Sequence, residues 1–252
     1  KQTVDVDDKV GGLAGGSLGV GVAIDVIEVN GLVDAAVGSS AVVTATGTGN
    51  IAVLAEGHNT VNSKAVAGAG GVYGVAGSFS LIGVGTGVSG EGASQTGAAT
   101  QVSNDTLAGS GTSTSVSDGS TAHVRAAVGS GASLTAGGGI TVQAKDTTNV
   151  TVYTGQLSVG LVGVGAALGL VDLGGDTEAV VGGAGTQLSA GGAVLVEGLA
   201  TNTVVANVGA GTVGAFAAFG AQVAIVTDNS DQRAALDTGA SITQASSVSI
   251  WA

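Results

Sequence analysis

The chain repeats itself. Four segments of the sequence share one pattern: Ala-x-Val-Gly, then an apolar residue followed by Thr or Ser, then a Gly-rich turn, then apolar-x-apolar. They run from Ala35 to Ala55, Ala126 to Ala144, Ala179 to Val196 and, most loosely, Ala234 to Ile250. Ala126 lies 91 residues after Ala35, Ala179 a further 53, and Ala234 a further 55. The unit is therefore about 54 residues long, and one copy carries an insertion. A longer Gly-rich apolar run precedes each copy, at residues 12–27, 65–85, 155–173 and 208–227. The spacing divides a single repeat-built domain, 1–252, into units over 12–64, 65–153, 154–207 and 208–252. The insertion falls at residues 87–120 in the second unit; it is rich in Ser, Thr, Gly and Ala and reads as a loop or polar excursion. A unit of this kind cannot bury its own apolar face, so successive units must stack and cover one another.

Within each unit the local period is 2. Ile140-Thr-Val142-Gln-Ala144 and Val248-Ser-Ile250 alternate apolar with polar, and Val20-Gly-Val22-Ala-Ile24-Asp-Val26 alternates large with small or polar. That is the strand signature. Helix is disfavoured because each interior Gly costs about 1 kcal/mol against Ala, and Val and Thr are stiff at χ1. Gly47-Thr-Gly49, Gly137-Gly-Gly139 and Gly191-Gly192 punctuate the strands as turns. The expected fold is all-β: a parallel β-solenoid of four repeats, its interior filled by small side chains, with Leu134, Leu188 and Ile242 in one interior row.

One position is charged in all four copies: Asp34, Arg125, Glu178 and Arg233, with alternating sign. Stacked in register, these residues form a ladder at about 4.8 Å spacing in which opposite neighbours favour the correct register. The other reading is a solvent-facing position that tolerates any charge.

Composition removes several classes. Apolar residues make up 44% of the 252, unlike disordered chains. There are 48 Gly but no Pro and no Gly-X-Y period, so collagen is excluded. With no Cys there is no disulfide or thiolate metal site. Eighteen acids against six Lys and Arg give a formal charge of −12, which opposes nucleic-acid binding. The opening Lys1-Gln2-Thr3 reads as a mature fragment without a signal peptide.

Residues 147–171 and 199–227 carry no charge over membrane-spanning length. They lack flanking Lys/Arg and aromatic belts, so neither a spanning helix nor a membrane barrel is expected. Asp5-Val-Asp7-Asp8, Asp172 to Glu178, and Asp228-Asn-Ser-Asp231 are acidic clusters. Their carboxylates suit calcium, but no calcium-binding nonapeptide or EF-hand loop accompanies them, and they read as solvated turn carboxylates. No facing carboxylate pair of the kind glycosidases use can be nominated from spacing. His58, in Gly57-His-Asn59, reads as a corner residue; His123 is far from it in sequence. No Ser sits in a nucleophile elbow, and Gly160-Leu-Val-Gly163 lacks the Gly-Lys-Ser/Thr of a phosphate loop. Thr44-Ala-Thr46 and Ser113-Thr-Ser115 are single instances, not the Thr rows of an ice-binding face. Trp251 reads as an edge or end-packing residue. No catalytic, cofactor-binding or metal-ligating residue is nominated.

The run Gly129-Ser-Gly-Ala132-Ser-Leu134-Thr-Ala136-Gly-Gly-Gly139-Ile140-Thr-Val142 resembles the repeats of very large bacterial exoproteins. These are the filamentous-haemagglutinin-like and leukotoxin-like adhesins and autotransporter passengers. The resemblance covers most of the chain. It implies a right-handed solenoid, export in an unfolded state, display on or shedding from the cell surface, and no catalytic residues in the repeats. Four repeats are short for that family, which points to a fragment or a subunit that polymerises. The expectation is a non-catalytic extracellular structural or adhesive protein, part of a surface stalk or a self-assembling filament. Its partners would be itself, further repeats, or a host or matrix surface. The alternatives are a β-helix polysaccharide-binding or polysaccharide-cleaving protein, and a membrane-inserting glycine-rich toxin segment.

Overall fold

The computed structural model describes residues 1–85 and 122–252; the insertion expected at 87–120 lies outside them. Among the described residues every element is a strand: β1 (Gln2–Ala14), β2 (Leu18–Val29), β3 (Val33–Val37), β4 (Val42–Ala45), β5 (Ile51–Gly70), β6 (Tyr73–Val84), β7 (Ala122–Val128), β8 (Ser133–Ala136), β9 (Ile140–Leu173), β10 (Asp176–Val181), β11 (Gln187–Ala190), β12 (Ala193–Asp228), β13 (Asp231–Leu236), β14 (Ser241–Gln244) and β15 (Ser247–Trp251). All twelve pairings are parallel.

Parallel neighbours need a long crossover between them, and here the crossover is the rest of the repeat. The strands form three sheets. One runs β1-β5-β9-β12-β15, with β2 and β6 joining along the far part of β9; the others run β3-β7-β10-β13 and β4-β8-β11-β14. Gln2 pairs with Gly57 and Leu18 with Tyr73, each 55 residues on. Ile140 pairs with Val194, 54 on. Across the undescribed segment the interval is 89, from Ile51 to Ile140, and 91, from Val33 to Val124. The pairing follows the sequence period, and the parallel all-β arrangement is compatible with a β-solenoid. The register also includes residues 2–11, which the sequence reading placed ahead of the first unit.

All three sheets feed one apolar core, through residues such as Ile140, Val142, Val124, Val181, Leu134 and Leu188. Val43, Leu134, Leu188 and Ile242 are successive register partners, so the expected interior row exists. Beside this core, the long strands double back on themselves. Ideal Cβ positions show the approach: one on Gly12 would lie 2.2 Å from the Val22 carbonyl oxygen, and one on Gly21 2.1 Å from that of Gly68. Within β9, Gly165 lies against Gln156 and Gly169 against Val152.

The two limbs so formed converge as a wedge. Inward residues of β2 shrink from Val29 and Ile27 at the base, through Asp25 and Ala23, to Gly21 and Gly19 at the tip. Accordingly Ile27, Val29, Val61, Ile82, Val150 and Val171 form one cluster and Ala23, Ala65, Ala67, Ala69 and Ala76 another. Because only small residues fit between the limbs, the large residues of the alternating run face out. Val20, Val22, Ile24 and Val26 are exposed, although the usual strand pattern turns its large apolar residues inward.

The short turns also recur in register. Gly38 to Ala41, Gly129 to Ala132, Gly183 to Thr186 and Asp237 to Ala240 each close with a bond from the last amide to the first carbonyl. Their third residues, Ser40, Gly131, Gly185 and Gly239, all have positive φ. Ser40, at φ 59°, is the sole non-glycine with positive φ among the described residues.

Candidate functional site

The charged position forms the ladder. Asp34 pairs in register with Arg125, Arg125 with Glu178, and Glu178 with Arg233. Glu178 is buried, with Oε2 3.9 Å from Nε of Arg125 and Oε1 3.6 Å from a terminal guanidinium nitrogen of Arg233. Arg233 also reaches Asp237 at 3.2 Å. The side chains of Arg125 and Glu178 are 11% and 6% exposed, whereas that of Arg233 is 44% exposed. The second reading of this position, a tolerant solvent-facing site, does not hold for Arg125 and Glu178.

A second polar cluster lies inside the wedge. Asp8 is the register partner of Ser63, and Asp25 of Ser80. The Ser63 hydroxyl donates to the Asp25 carboxylate and lies 2.6 Å from the Ser80 hydroxyl. Burial pushes the Asp25 carboxyl above its ordinary value; the bond from Ser63 works against this and the Asp8 carboxyl adds to it. Two facing carboxyls are the glycosidase sign that spacing could not supply. Asp25 is only 2% exposed, however, so no sugar ring reaches it. In the next strands along, the register partners of Ser63 and Ser80 are Val152 and Gly169, and the polar cluster stops there.

The two outer faces of the wedge differ in chemistry. On the β1-β5-β9-β12 side, outward positions carry Asp5, Asp7, Lys9, Glu56, Lys64 and Lys145 among Thr and Asn. Lys1 bridges Glu56 at 3.3 Å and Lys64 sits 5.6 Å from the Tyr153 ring centre. On the opposite side, five consecutive rows across β2, β6, β9 and β12, from Leu18-Tyr73-Val162-Ala217 to Val26-Leu81-Leu170-Ile225, hold no charge. At about 3.3 Å per residue and 4.8 Å per strand, this apolar face spans about 26 by 19 Å.

The acidic clusters do not all lie in turns as expected. Asp5, Asp7 and Asp8 are in strand β1. Asp172 and Glu178 are buried at the end of β9 and in β10, so they are not solvated turn carboxylates. Asp228 and Asp231 do flank a corner. Burial raises the Asp228 carboxyl, but bonds from Ser230 and Asn202 outweigh it and hold the group below its ordinary value. Asp176 is raised, first by burial and then by Asp231 and Glu178.

His58 is not at a corner. It lies mid-strand in β5, because Gly57 beside it answers a packing constraint: a Cβ there would meet Asp146 Oδ1 at 2.6 Å and Val124 Cγ2 at 2.7 Å. His123 falls in β7. Thr44 lies in β4 and Trp251 in β15 opposite Glu197; Ser113 and Ser115 are outside the described residues. Gly160 and Gly163 lie within β9, where its two limbs turn back.

Among the described residues, no three His, Cys, Asp or Glu side chains stand close enough to hold a metal ion. No described helix is long and apolar enough to cross a membrane. A shallow groove between Val66, Tyr153, Gly155, Asn207 and Gly209 holds no carboxylate, histidine or base.

The ends of the stack remain. Among the described residues, β1, β2, β3 and β4 pair on one side only, as do β13, β14 and the part of β12 beyond Glu197. These unpaired edges are the fold's most reactive backbone. No family model, curated protein or solved structure matches the chain.

Proposed function

We propose that the chain is a non-catalytic structural β-solenoid, displayed outside a bacterial cell as a length of stalk or filament. On this reading its coils are right-handed, close on themselves, and correspond to four repeats of about 54 residues. One observation carries it: register keeps a single chemistry along an interior row and an ordered alternation along a charged one. Apolar residues follow apolar residues in the row of Val43, Leu134, Leu188 and Ile242, and charge alternates from Asp34 to Arg233. Such columns use the chain to build length, whereas a binding site gathers different chemistries at one place. The resemblance to exoprotein repeats supplies the extracellular setting, and the acidic charge of −12 suits an exposed rod that must stay soluble.

Electron microscopy with circular dichroism tests the reading. The purified chain should give a β spectrum and rod-shaped particles whose length grows about 4.8 Å per coil. A helical spectrum, or compact particles that release sugars from an acidic polysaccharide, would overturn it.

A further inference from the structure

We infer that a second copy of the chain docks head to tail, seating its β1–β4 edge on the β12–β14 edge of the first, with Asp34 of one copy against Arg233 of the other. This rests on the structural reading above and adds the interface and its register.

The columns define the fit. Gln2, Gly57, Asp146 and Ala200 share a column, so β1 is equivalent to the part of β12 that starts at Ala200. Leu18, Tyr73, Val162 and Ala217 share another, which places β2 over the far part of β12. Val33 is equivalent to Gln232 through Val124 and Thr177, and Val43 to Ile242 through Leu134 and Leu188. Strand β15 occupies the β12 edge from Ala193 to Glu197, and an incoming β1 would pair from Ala200 onward. The incoming edges are 13, 12, 5 and 4 residues long, all parallel to the strands that receive them.

Many apolar columns match across the seam, whereas the inward carboxyls Asp8 and Asp25 face Ala206 and Ala224. Inside, Val6 meets Val204, Val10 meets Val208, Ile27 meets Val226 and Val37 meets Leu236. Outside, Val20 meets Phe219, Ile24 meets Val223 and Val26 meets Ile225. In the charged column the sequence of signs is Asp34, Arg125, Glu178, Arg233, then Asp34 of the next copy, and alternation is unbroken. Asp34 is exposed and Arg233 half-exposed, so both reach the seam. A competing two-fold contact centred on the charged column would put Asp34 on Asp34 or Arg233 on Arg233, and like charges directly opposed across a sheet are unfavourable. A head-to-tail contact of this kind does not close on itself and propagates as a fibre.

The chain has no cysteine, so single thiols report the register cleanly. Ala36 and Ala235 share a column through Ala127 and Val180. Ala36→Cys and Ala235→Cys proteins, mixed and treated with a short thiol-reactive cross-linker, should give the mixed dimer, and Ala36→Cys alone should give none. Asp34→Arg should raise the critical concentration for assembly roughly tenfold, with Asp34→Asn intermediate, each compared at the same folded fraction by circular dichroism. Fibres that form without the mixed cross-link, or with Asp34→Arg unchanged, refute this interface and leave the structural reading standing. A β-rich chain that stays monomeric at all concentrations also refutes it. A helical or unfolded chain defeats both.

Discussion

Replacing Glu178 with Ala removes the one acid that joins two arginines across three strands. The cost follows from exposure. The Arg125 side chain is 11% exposed and lies 3.9 Å from Glu178, so deleting the carboxylate removes one of the counter-charges of a largely buried cation, with Asp34 still its register neighbour, and the cost falls at the low end of the range for a buried pair. Breaking a buried pair in this way costs about 3 to 5 kcal/mol. Arg233 adds little, because at 44% exposure it is screened by water and keeps Asp237 at 3.2 Å; exposed pairs contribute below about 1 kcal/mol. A total near 3 kcal/mol is expected. With a urea slope of about 2 to 3 kcal/mol/M, the midpoint should fall by roughly 1 M. Far-ultraviolet circular dichroism in urea measures this, with Asp237→Asn as control, expected to cost under about 1 kcal/mol. The double change Arg125→Met with Glu178→Leu should recover most of the loss, since a buried ion pair is often no better than apolar residues of similar size. If Glu178→Ala costs no more than Asp237→Asn, the ladder is a surface ornament and the argument from burial is wrong.

The wedge gives a second test: Gly21→Val should destabilise by about 1 to 3 kcal/mol through overpacking, because the Gly68 carbonyl oxygen occupies the space a Cβ needs. Thermal melts should show this loss, and a neutral result would mean the limbs are not in contact. Ser40→Gly should stabilise by about 0.5 to 1 kcal/mol, since relief of left-handed strain exceeds the added freedom of the unfolded chain. A drop in melting temperature would refute that. The Asp25 carboxyl is raised above its ordinary 3.8 in the folded chain, so between that value and the raised one the folded state holds more protons than the unfolded. Stability from this group therefore grows as pH falls from neutral toward 4; Asp25→Asn should be more stable at pH 7 and should flatten the pH dependence of the urea midpoint above pH 4. Finally, the apolar outer face should bind the dye ANS in the native state, and Val164→Lys with Leu168→Lys should abolish that fluorescence without changing the β spectrum.

The period and the columns were legible in the sequence because stacking makes chemistry recur at a fixed interval: Leu134 and Leu188, or Arg125 and Glu178, are neighbours in space only through that interval. The direction in which the long strands face was not. In Val20-Gly-Val22-Ala-Ile24, the ordinary rule that larger apolar residues turn inward puts Val20 and Val22 in the core, and the structure puts Gly21 and Ala23 there. The rule fails because a second limb lies so close that volume, not hydrophobicity, decides what fits. The signal that could have shown it is the gradient Gly19, Gly21, Ala23, Asp25, Ile27, repeated as Gly74, Ala76, Ser78, Ser80, Ile82 and as Gly163, Gly165, Ala167, Gly169, Val171. The inward residues are smallest at the tip and largest at the base in each strand, with Gly169 the one step back, which is how a wedge is written in side-chain volume. His58 was misplaced for a related reason, since Gly57 and Asn59 are turn formers by habit and here are a packing gap and an inward amide bonded to Thr148 at 3.2 Å. A site could not be read because chemistry in this fold is distributed along columns, one residue per strand. On the proposed head-to-tail reading, the charged column acts at its outer strands, where Arg233 and Asp34 show opposite charges to whatever strand comes next.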